Sequence, residues 1–327
     1  MTPALVAFAV SLGVCVTFVR FPAVGRLVTR GSHAPRWRAD AVPLAGGLAM
    51  GAGFGVAVAI FGRDLPHVGA MGVAVYVGLA VGLWDDLRPM PPVAKLAGQV
   101  GTGIVLASLG VTMDIPGPAA LAWAVTVVWV VVATNAVNLL DNMDGVAGGC
   151  SLVAVGALGL WWSAGSGPVE LAAALAGAIG GFLVLNYPPA RLFMGDSGSH
   201  FLGAALAGLT VIDAGRVGST TEAGVLAVLL VPALVMAVPL FDTAMVTVER
   251  VRHRRPIWEG GKDHTAHRLN RMGLGPRAVA GILSASAAVT AGVATLAAVE
   301  GPWLAIGAGV IAIAAIVAWW RLAKIDV

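Results

Sequence analysis

Residues 119–145 read AALAWAVTVVWVVVATNAVNLLDNMDG. From Ala119 to Leu140 no side chain is ionisable, and a charge-free stretch of this kind matches one bilayer crossing of about 17–25 residues. The run then turns polar. Asn135, Asn138, Asp141 and Asp144 follow one another at helical-turn intervals, so they approximate one stripe if the helix continues. Amides and carboxylates with no basic neighbour read as a polar binding surface, with an ordinary capped helix end as the alternative. The spacing is superficially that of a calcium loop, but the liganding order and terminal Glu are absent.

Working outward, the same alternation of apolar blocks and short polar borders fills the chain. Of 327 residues 58% are hydrophobic and 11% charged, against roughly 25% charged in a soluble domain. Eleven helices are expected, near 3–20, 43–61, 68–84, 95–111, 119–138, 146–164, 169–187, 197–212, 223–248, 277–298 and 303–320. The fold class is thus all-α, a polytopic membrane protein forming one integral-membrane domain over residues 1–327. Soluble α/β folds, nucleic-acid modules and disulfide scaffolds are excluded, and no nucleic-acid partner is expected. Cys15 and Cys150 sit in or beside apolar blocks without metal-ligand spacing and read as packing residues. The first span is not a cleaved signal, since no basic region precedes it and Arg20 follows it.

Charge distribution orients the chain. With the N-terminus outside and the C-terminus cytoplasmic, Arg63 and Arg216 are the two of the 20 Lys and Arg residues left outside, which is the asymmetry that insertion favours. The longest connection, 249–276, is cytoplasmic, strongly basic, and suited to a short amphipathic helix near the lipid surface.

Three further polar stretches carry chemistry. Asp85 and Asp86 close the third span in Gly82-Leu83-Trp84-Asp85-Asp86-Leu87-Arg88. Adjacent carboxylates repel and invite a cation, which Arg88 alone answers poorly; a solvated helix end is the alternative. After the seventh span, Pro188 and Pro189 stop the helix in Asn186-Tyr187-Pro188-Pro189-Ala190-Arg191-Leu192-Phe193, and Gly195-Asp196-Ser197-Gly198 opens the next. Small residues at a helix N-terminus let a phosphate approach, unless Asp196 is merely the cap. Phe193 reads as a lipid-interface anchor or a base-stacking platform. In the loop Lys262-Asp263-His264-Thr265-Ala266-His267-Arg268-Leu269, His264, His267 and Arg268 offer donors to oxyanions. All these stretches fall on the cytoplasmic side. Asp-rich surface ringed by basic residues suits a Mg²⁺-bound diphosphate and a lipid phosphate.

On Ala41-Val42-Pro43-Leu44-Ala45-Gly46-Gly47, Asp85-Asp86, Asn135 to Gly145, Asn186 to Gly198 and His264 to Leu269, in that order, the chain resembles the polyprenyl-phosphate N-acetylhexosamine-1-phosphate transferases over nearly its whole length. The resemblance implies that Asp196 and Asn138 hold Mg²⁺, with Mn²⁺ as a substitute, against the donor diphosphate. It implies that Asp85 and Asp86 lie near the lipid phosphate as catalytic groups, one of them its base. Phe193 would stack on uracil, Asp144 would help read the nucleotide, and Asp141 and Asn186 would complete the donor pocket. His264, His267 and Arg268 would bind phosphate or sugar, so that loop 249–276 contributes to the active site. The family's His-x-His-His lacks its middle histidine here, where Ala266 stands.

The implied function is transfer of a sugar-1-phosphate from a UDP-sugar to undecaprenyl or decaprenyl phosphate, releasing UMP, as the first membrane step of cell-wall or surface-glycan synthesis. Leu87-Arg88-Pro89 with Lys95-Leu96 and Gln99 is similar to the branch that primes O-antigen, teichoic acid or arabinogalactan, which makes UDP-N-acetylglucosamine the first choice of donor. Phospho-N-acetylmuramoyl-pentapeptide transfer is the alternative. A secondary transporter of an anionic solute is the rival from another class. The expected partners are the UDP-sugar, the polyprenyl phosphate and membrane lipids, with a homodimer left open, in the inner (plasma) membrane with the site facing the cytoplasm.

Overall fold

The computed structural model describes residues 2–21, 42–65, 67–163, 167–220, 224–299 and 301–325. Arg26, Arg30, Arg36, Arg38 and Ala41, used in the sequence reading, lie outside them. Among the described residues the regular elements are helices, apart from one parallel bridge between Leu44 and Phe193. In chain order these are α1 (Thr2–Arg20), α2 (Gly46–Phe61), α3 (Val68–Leu87), α4 (Pro92–Ser108), α5 (Ala119–Leu140), α6 (Val146–Ser163), α7 (Val169–Asn186), α8 (Gly195–Thr220), α9 (Gly224–Val235), α10 (Ala237–Arg252), α11 (Thr265–Arg271), α12 (Pro276–Val299) and α13 (Gly301–Leu322).

Proline sets several boundaries. Arg88 is extended before Pro89, as the residue preceding a proline must be, and this ends α3. Pro92 opens α4 at a position where its missing N–H costs nothing.

Among the described residues six helices are long and apolar enough to cross a membrane: α1, α3, α5, α6, α7 and the Pro276–Thr295 part of α12. A bent pair raises this to seven, and α2 and Ile306–Leu322 of α13 are shorter apolar helices. The protein is therefore an all-helical, multi-pass membrane protein. One expected span is corrected: the stretch near 223–248 is two helices, α9 and α10, bent by 84° at Met236. Pro239 has no N–H with which to bond the Val235 carbonyl, so the ladder is interrupted there, and Pro239 falls in the first turn of α10 where it is tolerated. The amphipathic helix expected in 249–276 is limited to α11, a seven-residue helix.

At the centre stands α8, packed against α2, α3, α5 and α9. In lipid, helices associate through close packing and interhelical hydrogen bonds rather than through the hydrophobic effect, and α8 uses both. Buried Asp213 accepts a hydrogen bond from Trp162 Nε1 at 2.7 Å, and Thr210 Oγ accepts one from Trp129 Nε1 at 3.0 Å. A carboxylate in such a setting needs partners of this kind. These contacts fix α8, whose N-terminus carries the candidate site.

Candidate active site

The start of α8 is seated by its neighbours. Gly195 begins the helix at φ 73°, a left-handed conformation that favours glycine. The first free N–H groups of a helix need acceptors, and Asp86 at the end of α3 supplies two. Its Oδ1 accepts from Asp196 N at 2.8 Å and its Oδ2 from Ser197 N at 2.9 Å. A Cβ on Gly82 would collide with the Asp196 carbonyl, and one on Gly47 with Gly198 N, so both glycines are required by the closeness of α3 and α2 to this helix end. The Pro43–Gly47 segment pairs with the loop before α8: Phe193 N donates to Pro43 O at 2.9 Å, Gly46 N to Phe193 O at 3.0 Å and Gly47 N to Met194 O at 3.1 Å.

Around this end the acidic residues converge. Lys95, one turn into α4, places its Nζ 2.7 Å from Asp85 Oδ2 and 3.1 Å from Asp196 Oδ2. Asn138 Nδ2 donates to Asp196 Oδ1 at 2.5 Å and to Ser199 Oγ at 2.8 Å. Asp85 Oδ1 also accepts from Met90 N at 2.6 Å. Beneath them Gln99 joins Asn135 to His200: Asn135 Nδ2 donates to Gln99 Oε1 at 2.6 Å, and Gln99 Nε2 lies 3.3 Å from His200 Nε2. The adjacent Asp85 and Asp86, with Asn138 and Asp196 from two distant stretches of the sequence, thus share one site. Asp196 is not the cap of its own helix; Asp86 performs that task, which leaves the Asp196 carboxylate to face Asn138 and Lys95.

The anticipated stripe of Asn135, Asn138, Asp141 and Asp144 divides. Helix α5 stops at Leu140 and Asp141 caps it, followed by a turn that ends at Gly145 with φ 75°. Asn135 and Asn138 therefore point to α4 and α8, while Asp144 turns to the loop after α7. Asp144 Oδ2 accepts from Ala190 N at 2.8 Å; Asn186 Oδ1 accepts from Gly145 N, and its Nδ2 donates to Leu192 O, both at 3.0 Å. Both side chains are buried, and they pin the 187–193 loop against the 141–145 turn. Asp141 and Phe193 are partly buried at the edge of this seam. Arg277 Nε donates to Pro188 O at 2.9 Å, tying α12 to the same loop.

The histidines form a second, buried cluster. Asp242 of α10 accepts from Thr265 N at 2.7 Å, and its Oδ2 lies 2.8 Å from His264 Nδ1. Arg250 grips Asp263 through two bonds of 2.9 Å. The ring of His267 lies 6.3 Å from that of His264. Burial, reinforced by the neighbouring His264 and Lys262, pushes the His267 imidazole down to about 4, so it is neutral at pH 7. The guanidinium of Asp263's partner holds that carboxyl below its usual range against the opposing effect of burial.

Arg268 is engaged elsewhere. Its Nη1 donates to the carbonyls of Leu322 and Ile325 at 2.8 and 2.9 Å, and its Nε to Asp263 O at 3.1 Å. It closes the C-terminal end of α13, a structural task the sequence reading did not assign to it. Lys95, Gln99, Ser199, His200 and Asp242 were also not singled out as site residues. A signal existed for some: Lys95 and Gln99 are one turn apart, as are Asp196 and His200, and Asp242 is an acid inside an otherwise apolar block.

For a divalent ion, the donors at hand are the oxygens of Asp85, Asp196 and Asn138, which are the hard ligands Mg²⁺ prefers. Mg²⁺ commonly takes one or two carboxylates plus substrate phosphates. Among the described residues no three His, Cys, Asp or Glu side chains form a metal cluster, so a bound ion would draw further ligands from substrate. Two carboxylates already converge on one cationic point, the Lys95 ammonium, and in that respect the residues fit.

Comparison with known proteins gives a match to the profile of Glycosyl transferase family 4 over residues 68–214. The chain is 32% identical over 248 residues to a probable undecaprenyl-phosphate N-acetylglucosaminyl 1-phosphate transferase of Bacillus subtilis, covering 72% of this chain and 68% of that one. It is 31% identical over 309 residues to the decaprenyl-phosphate N-acetylglucosaminephosphotransferase of Mycolicibacterium smegmatis, covering 84% and 75%. It is also 32% identical over 276 residues to a phospho-N-acetylmuramoyl-pentapeptide-transferase of Thermobifida fusca, covering 64% and 77%.

Proposed function

We propose, from the premise that this chain belongs to glycosyl transferase family 4, that it transfers N-acetylglucosamine-1-phosphate from UDP-N-acetylglucosamine to polyprenyl phosphate and releases UMP. The observation that carries the reading is the meeting of Asp85, Asp196 and Lys95 within 2.7–3.1 Å, at the end of the bundle where α3, α4, α5 and α8 expose their polar termini. A transporter would need its polar groups near the midplane, whereas these crowd one end.

In this account a lipid phosphate oxygen attacks the sugar-proximal phosphorus, the bond from that phosphorus to the UMP oxygen breaks, and any proton on the attacking phosphate passes to Asp85. Asp86 gives both oxygens to backbone N–H groups fixed at the start of α8, so its part is to seat that helix, whereas Asp85 Oδ2 is held by the Lys95 side chain, which can turn to a bound phosphate and leave that oxygen to act as base. Asp196 and Asn138 would hold Mg²⁺, or Mn²⁺ in its place, against the diphosphate. The ion supplies charge neutralisation when bound. Lys95 neutralises the pair of carboxylates and can offer its donors to phosphate oxygens. Phe193 stacks on the uracil ring, with Asp141 at the pocket's edge. Asp144 and Asn186 serve the donor by shaping the loop that presents Phe193. His264 and His267 face phosphate or sugar, and Arg268 holds their loop in place. Positioning two bound substrates at the membrane surface makes the encounter effectively unimolecular.

The remaining parts of the proposal are topological. The chain forms one domain, crosses the plasma membrane eleven times with the bent α9–α10 pair taken as one crossing, and has its N-terminus outside and its C-terminus and site in the cytoplasm. The test is purified protein given Mg²⁺, polyprenyl phosphate and one UDP-sugar at a time. UMP release with UDP-N-acetylglucosamine supports the reading. Release confined to UDP-N-acetylmuramoyl-pentapeptide would move the protein to the muramoyl branch, and release with no donor would overturn the transferase reading.

A further inference from the structure

The break at Met236 does more than shorten a span. It turns α10 by 84°, so that the segment following the break runs beside α5 and toward α11. Asp242, on the second turn of α10, is 1% exposed, and an acid in that position requires partners. Both its oxygens have one: Thr265 N at 2.7 Å and His264 Nδ1 at 2.8 Å. Against an ionised carboxylate, which only accepts hydrogen bonds, Nδ1 of His264 would carry the shared proton. Among the described residues no hydrogen bond engages His264 Nε2.

We propose that Asp242 is a positioning residue that acts through His264, holding the imidazole in the Nδ1–H form with Nε2, then the acceptor nitrogen, turned to a hydroxyl or amide N–H of the bound sugar. This rests on the family 4 reading of the site. The arrangement follows a general rule for imidazoles in active sites and metal centres: a carboxylate on one ring nitrogen fixes the tautomer and orientation of the other. Asp242 meets the requirements unusually fully. It is buried, it belongs to a different element from the histidine, and its second oxygen holds the backbone of the next residue, so ring and main chain are oriented together. The neighbouring titratable and charged groups are His267, Lys262 and the Arg250–Asp263 pair, and Cys150 of α6 also lies within electrostatic reach of Asp242. With Arg250 committed to Asp263, Asp242 is the carboxylate bonded to the His264 ring.

Two measurements test this. In protein labelled with ¹⁵N-histidine, the His264 signals, assigned by comparison with His264→Ala, should report the Nδ1–H form, and Asp242→Asn should convert them to the Nε2–H form, because the amide can turn its NH₂ toward Nδ1. This readout needs no catalysis and holds whether or not the donor is correctly identified. In the transfer assay Asp242→Asn should lower kcat by about 10–100-fold with little change in KM for the UDP-sugar. The same substitution made in a His264→Ala background should cost nothing further, since a residue acting only through His264 has nothing left to act on. An Nε2–H imidazole in the unaltered protein would overturn the proposal. So would a full loss on Asp242→Asn in the His264→Ala background, which would make Asp242 a tether for α11 through Thr265 N. If the unaltered protein transfers no sugar-phosphate with any donor, the family 4 activity fails separately, and the tautomer measurement still decides whether Asp242 orients the ring.

Discussion

Asp86 closes the N-terminus of α8 by accepting the Asp196 backbone N–H at 2.8 Å, so the last turn of one helix serves as the cap of another more than a hundred residues later. The side chains of these two residues thereby acquire different tasks. Asp86 is consumed by backbone, and the Asp196 carboxylate faces Asn138 and Lys95.

Asp86 and the adjacent Asp85 should therefore fail differently when altered. Asp86→Ala removes both cap bonds and is expected to destabilise the protein by about 1–2 kcal/mol, the range for loss of a helix cap, with activity falling in consequence. Asp85→Asn should leave the melting temperature nearly unchanged while turnover drops by roughly 10²–10⁴-fold, as for loss of a proton-accepting group. Thermal unfolding in detergent alongside UMP release checks both, and equal melting temperatures for the two variants would contradict the division.

Lys95 is the countercharge of Asp85 and Asp196. Replacing it by Met leaves two carboxylates facing one another, a repulsion that a divalent cation can relieve. Lys95→Met should accordingly lose melting temperature in EDTA, by on the order of 2–4 °C relative to unaltered protein, and recover part of it in millimolar Mg²⁺. A gap that is identical in EDTA and Mg²⁺ would mean that no cation enters the space between the carboxylates.

Ala266 stands where the resemblance places the middle histidine of His-x-His-His, and its side chain is fully buried in α11. Ala266→His must overpack that position, at a cost of about 1–3 kcal/mol. Reduced stability and reduced turnover are expected. A variant as stable and active as the parent would show that the loop around α11 has space that this packing does not provide.

The neutral state of His267 can be read by titration. Its folded pKa of about 4 lies below the 6.5 of a free imidazole, so between those values the unfolded chain binds the proton first. Falling pH through that window destabilises the fold, and above 6.5 the group contributes no pH dependence. NMR titration of labelled histidine should place the His267 midpoint near 4, and a midpoint above 6 would remove burial as the governing influence.

Much of this was legible in the residues. Asp85, Asp86, Asn138 and Asp196 each end or begin an apolar block, and alternation of sides alone brings those borders to one end. What sequence periodicity could not show is which neighbour each polar group chooses. Lys95 lies closer in sequence to Asp85 than Asp196 does, yet it bridges both, because α4 and α8 flank α3. Arg268 looked like a phosphate donor beside two histidines, but carbonyls at the end of α13 lie within its reach. The break at Met236 was hidden for another reason: membrane helices often accommodate proline, so Pro232 and Pro239 did not by themselves distinguish a kinked crossing from two helices at 84°.

In the proposed reaction the sugar-proximal phosphorus moves with its sugar to the lipid. UDP-N-acetylglucosamine labelled with ³²P on its β phosphate, incubated with the protein, Mg²⁺ and polyprenyl phosphate, tests it most directly. The label should pass into the organic phase as a lipid diphosphate sugar while unlabelled UMP stays in water, and Asp196→Asn should abolish the transfer. Label that remains in water as UDP while the sugar alone reaches the lipid, or no extraction of label at all, would contradict the account.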